Sequence, residues 1–100
     1  MSAGTGFPDQ AEKIAALDAN RVKLEQRGDE IVAEQGRLRD NLKSLGTTSE
    51  EAKLRQKYVS KLASGEEEIE SLQKEVTQII DTMRNERLAT AKIVLELEMA

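Results

Sequence analysis

The sequence predicts an all-α protein, an antiparallel two-helix coiled-coil hairpin that dimerises into a four-helix bundle, and three observations predict it. The chain of 100 residues is 34% charged and 2% aromatic, with no Cys, His or Trp, so it lacks the large rings that normally supply much of a globular core. Apolar residues on either side of Gly46 recur at alternating steps of three and four, the period of a left-handed coiled coil. Folded about that glycine, the two stripes meet in pairs whose numbers sum to 93: Leu38 with Arg55, Gln35 with Tyr58, Ile31 with Leu62, Gly28 with Gly65, Leu24 with Ile69, Arg21 with Leu72, Leu17 with Val76 and Ile14 with Ile79.

Residues 1–8 are expected to be a disordered segment or a cloning remnant, and helix one to occupy residues 9–46. Asp9 can accept from backbone N–H groups at the helix start, with Glu12 three residues later to reach back. Gly46 is expected to end the helix in the left-handed conformation. Thr47 and Thr48 form the turn, and each is followed three residues later by a glutamate, Glu50 or Glu51, so a capping box opens helix two over residues 49–90. A connection this short sends the second helix back antiparallel to the first. The seam has no partner for residues beyond Met83. Residues 91–100 are an apolar tail that reads either as a strand, with Ile93, Leu95, Leu97 and Met99 on one face, or as a helix extension through Leu88, Ala91, Leu95 and Met99.

Charges flanking the seam test the register. One edge sets Glu34 beside Lys61 and Arg27 beside Glu68; the other holds one unfavourable pair, Glu25 with Glu66. That second edge also brings Val32 beside Val59 and Ala11 beside Ile80, which widens the apolar stripe beyond what two helices can bury. The predicted partner interface is therefore Ala11, Val32, Val59, Ile80, Leu88 and Leu95. Against roughly 1.5 kcal/mol of entropy lost per ordered residue, a lone hairpin has almost no margin, so a homodimer is expected. Another protein partner, or the remainder of a larger protein, is the alternative cover for that edge and for the tail.

Gly28 and Gly65 share one layer, and each costs about 1 kcal/mol relative to Ala within a helix. Tolerance of two small residues, close backbone approach and a flexible joint all remain open readings. Gly36 on the outer face has no packing reason. Arg21 and Gln35 at core positions either fix register or send their polar heads outward.

Function classes are narrowed mainly by what is missing. A net charge of -4 and a pI near 4.9 leave no basic stripe for nucleic acid or an anionic membrane, and no apolar run is long enough to span a bilayer. Without His or Cys there is no thiolate zinc site, no cofactor motif and no nucleophile with an orienting base: Ser60, Lys61 and Ser64 cluster on helix two without one. The acidic run Glu66, Glu67, Glu68 and Glu70 reads as a solvated helix face, with no metal, cofactor or enzymatic role. Localisation stays open, since helical hairpins without Cys fit any compartment.

Between Asp29 and Leu72 the chain carries EQGRLRDNLKSL, a short loop, and then LRQKYVSKL and EEEIESL. This stretch resembles the C-terminal coiled-coil hairpin of the mucoidy-inhibitor-like bacterial proteins of unknown function. The resemblance covers under half of the chain and implies a hairpin appended to a β-rich region, with no catalytic residues to carry over; Gly28, Gly65 and the tail have no counterpart in it. Two functional expectations follow: a non-enzymatic scaffold or spacer that self-associates, or a chaperone-like or adaptor-like arm that grips a partner helix or client.

Overall fold

A computed structural model describes residues 7–99, with side chains from residue 9 onward. Two helices, α1 (Phe7–Lys43) and α2 (Ser49–Met99), form an all-α hairpin, and the described residues contain no strand. The expected disorder of residues 1–8 lies outside the described residues up to residue 6; Phe7 and Pro8 belong to α1. Because α1 starts at Phe7, Asp9 falls within its first turn instead of capping it, where its negative charge still suits the N-terminal end of the helix dipole.

The chain divides into two units, each built from both helices: one of residues 25–74, the other of residues 1–24 with 75–100. In the unit of residues 25–74, α1 turns Gly28, Ile31, Gln35, Leu38 and Leu42 inward, and α2 turns in Tyr58, Leu62, Gly65, Ile69 and Leu72. These are the seam positions of the heptad stripe, and Ile31, Gln35 and Leu38 are buried. In the other unit the inward residues are Ile14, Leu17, Arg21 and Leu24 with Val76, Ile79, Met83, Glu86 and Thr90, of which Met83 is buried.

Four sequence expectations need correction. First, α1 ends at Lys43, and the connection is residues 44–48. The helix tightens there, with the Ser44 and Leu45 N–H groups donating three residues back to the carbonyls of Asn41 and Leu42 at 3.3 and 3.2 Å. Gly46 does not take the left-handed backbone. It is instead a point of close approach: its N–H donates to Glu51, and a Cβ there would lie 3.0 Å from both oxygens of that carboxylate.

Second, Arg55 is exposed, not a seam partner of Leu38. Its Nη2 donates to the Gly46 carbonyl at 3.0 Å, which keeps a guanidinium in water and ties α2 to the connection. Third, the seam does not stop at Met83, because Lys13 Nζ meets Glu86 Oε1 at 2.8 Å and Glu86 is largely covered. Fourth, of the two readings of the tail the strand fails and the helix extension is the one that forms, with residues 91–99 continuing α2 to Met99. Nothing between Met83 and Met99 breaks a helix, since the stretch holds no Gly or Pro, and an isolated strand would leave its backbone groups without partners.

The capping box forms with Thr48 and Glu51. Glu51 N–H donates to Thr48 Oγ1 at 3.1 Å, while Thr48 Oγ1 and N–H donate to Glu51 Oε1 at 2.8 and 3.4 Å. Together with the Gly46 N–H, these donors hold the Glu51 carboxyl below its ordinary pKa, the Gly46 bond being the largest cause. A depressed folded value means that the connection is stabilised above the unfolded carboxyl pKa and loses that stabilisation as pH falls through the lower folded one. In a side-chain carboxyl NMR titration, Glu51 should therefore titrate below the ordinary glutamate range. Amide protection at residues 46–51 should fade over the same acidic range, and a Glu51 midpoint at the ordinary glutamate value would contradict the arrangement.

Candidate interaction surface

In the unit of residues 25–74, the two edges of the seam differ. On one edge Arg27 and Glu68 make a two-pronged ion pair across the helices, Nε to Oε2 at 2.8 Å and Nη2 to Oε1 at 3.2 Å. The pair raises the Arg27 pKa and lowers that of Glu68, in both cases chiefly through the side-chain hydrogen bond. The other expected bridge on this edge is absent: among the described residues no ion pair joins Glu34 to Lys61. Both instead flank a shallow groove of about 240 Å³, where two long exposed side chains gain little by holding one geometry.

Ile31, Gln35, Leu38 and Gly65 also line that groove, with Ser60 and Ser64 at its rim. Among the described residues neither serine makes a side-chain hydrogen bond to an orienting group. Gln35 is the buried polar residue of this layer. Its Nε2 donates to Glu66 Oε1 at 3.1 Å and approaches the Leu62 carbonyl at 3.5 Å, so the amide does not sit unpaired in the seam. Glu66 also lies 3.8 Å from Arg39 Nη2. The expected clash of Glu66 with Glu25 is thus replaced by two favourable partners for Glu66, an arrangement that seam pairing alone did not reveal.

These partners also account for two carboxylates of the acidic run, Glu66 and Glu68. Among the described residues no group of three His, Cys, Asp or Glu side chains is placed to hold a metal ion, and no helix is long and apolar enough to cross a membrane.

On the opposite edge of this unit, Val32 and Val59 are both more than half exposed. In the unit of residues 1–24 and 75–100, Ala11, Ile80, Leu88 and Leu95 are likewise exposed. All six residues of the predicted partner interface therefore lie at the surface. Sequence reasoning passed over Val22, Leu54 and Val94, which are also exposed. Val94 was legible, because it follows Ile80 by two heptads on the same edge of α2. Arg21, at a core position, is only half-buried; its Nε and Nη2 bind Asp18 Oδ1 at 2.9 and 2.8 Å.

Comparison of the chain with protein-family models, with curated proteins and with solved structures finds no match.

Proposed function

We propose that the chain is a non-enzymatic oligomerisation module, a scaffold or spacer in which the hairpin acts as an antiparallel coiled coil and pairs with a second copy to make a four-helix bundle. The observation that carries this reading is the thinness of the core. Among the described residues only Ile31, Gln35, Leu38 and Met83 are buried, and none completely, while Val32, Val59, Ile80, Leu88 and Leu95 remain in water. Covering those side chains supplies the burial that a lone hairpin of this length lacks. The resemblance to the mucoidy-inhibitor-like group fits a spacer role within a larger protein.

Light scattering on the full chain over a concentration series tests the proposal. A mass of twice 11.1 kDa that falls on dilution is the expected result. Introducing Lys at both Val32 and Val59 should weaken association at least about tenfold while helicity persists, because a charge buried at a homodimer contact is paid for in both copies. A fully helical monomer at all concentrations would sink the scaffold reading. It would favour the adaptor-like arm, a reading supported by the run of exposed apolar residues from Leu88 to Met99 on a single helix.

A further inference from the structure

Resting on the self-association proposed above, we infer that residues 87–99 of α2 dock antiparallel against the same segment of a second copy. Three observations point to that occupant. Exposed apolar side chains crowd this stretch: Leu95 and Leu97 are 58% and 65% exposed, and Ile93 is 45% exposed. Ile93 and Leu97 also continue the heptad steps of Val76, Ile79, Met83, Glu86 and Thr90, so the seam geometry persists where this unit offers no cover.

The third observation is the order of the charges. Arg87 and Lys92 precede Ile93, while Glu96 and Glu98 follow it. Among the described residues none of these four makes an ion pair or a side-chain hydrogen bond. Two free cations on one half and two free anions on the other make the segment complementary to itself only when a second copy runs in the opposite direction. Parallel pairing would set like against like. A two-fold axis gives this contact closed symmetry; because it sends the two hairpins away from each other, it is a contact separate from the four-helix pairing and joins one bundle to another.

Sedimentation equilibrium on the full chain tests the pairing. Glu96→Lys with Glu98→Lys makes the segment wholly basic, and Arg87→Glu with Lys92→Glu makes it wholly acidic. Each double variant should assemble beyond the dimer at least about tenfold more weakly than the native chain, and their equimolar mixture should recover native affinity. Direction is read by thiol cross-linking, since the chain has no cysteine of its own. Val94→Cys lies midway between Lys92 and Glu96 and should link to its copy with a short bifunctional reagent. Asn85→Cys should not, because antiparallel pairing about residue 93 holds the two copies about 24 Å apart at that position.

Equal linking at both positions would overturn the antiparallel arrangement. Native-like association of both charge variants in an oligomeric chain would remove this pairing and leave the self-association reading standing. A native chain that is monomeric throughout would remove both.

Discussion

Ile31→Asp is expected to cost more than about 3 kcal/mol and to collapse the layer around it, whereas Val32→Asp, one residue further on, should change the stability of the isolated hairpin by no more than about 0.5 kcal/mol. Ile31 is 4% exposed and Val32 is 56% exposed, so adjacent positions on one helix face opposite fates. An aspartate at residue 31 would be pressed against the Gly65 backbone with no cation of the seam in reach, since Arg27 on that edge is already engaged by Glu68. Its carboxyl must either stay charged in an apolar layer or take up a proton. Thermal unfolding followed by circular dichroism, at a concentration low enough to keep the chain monomeric, checks the pair. Equal melting curves for the two variants would mean that the heptad face is misplaced. At high concentration the order should reverse in a second readout, with Val32→Asp abolishing association while leaving helicity intact.

The same contrast shows how much of the fold was legible. Which residues face inward was readable because the heptad steps persist through some seventy residues, and a shift of one position would have exposed Ile31 and buried Val32. The capping box was readable because Thr48 and Glu51 stand at the required separation on the chain. What escaped were the exact pairing across the seam and details set by side-chain reach. The connection begins earlier than Gly46 because Glu51 and Arg55 draw that glycine onto α2 through its N–H and carbonyl, contacts that depend on long flexible side chains and not on any local pattern. Glu66 reaches toward Gln35 and Arg39, each nearer the C-terminal end of α1 than the position directly across the seam. The pairing is displaced in the same direction at the level of the backbone: Gly65 faces Ile31 and Gln35 and not Gly28, and Gln35 reaches the Leu62 carbonyl and not Tyr58, so the expected opposition of residues whose numbers sum to 93 is offset by about one helical turn. Helix continuation past residue 90 was undecidable from the Ile93–Met99 pattern alone, where apolar residues fit a period of two as well as a helical face. The predicted interface residues were legible as a surplus of apolar positions, but a surplus says only that something should cover them. The order of Arg87, Lys92, Glu96 and Glu98 says what kind of surface would do so.

Gly28→Ala and Gly65→Ala should separate by about 1 kcal/mol or more, although the sequence sets the two glycines in one layer and gives no reason to treat them differently. At Gly28 an added Cβ would meet nothing within 4 Å, so the substitution collects the helix-propensity gain of about 1 kcal/mol and the smaller entropy of the unfolded chain. At Gly65 the Cβ would stand 3.1 Å from Gln35 Nε2 and 3.3 Å from Ile31 Cγ2. The Gln35 amide cannot withdraw freely, because its Nε2 is held by Glu66 and the side chain is buried, and Ile31 is stiff at its first side-chain torsion. The propensity gain at residue 65 is then offset by strain or by a lost hydrogen bond, and the variant should be neutral to destabilised. Chemical denaturation of both single variants measures the difference. A third chain isolates its cause: with Gln35→Ala in the background the amide contact is gone, so Gly65→Ala should recover part of the propensity gain, limited by the remaining contact with Ile31. If both alanine variants stabilise the native chain equally, the Gly65 layer is looser than the distances indicate, and Gln35 owes its place in the seam to register and not to the space that Gly65 leaves for its amide.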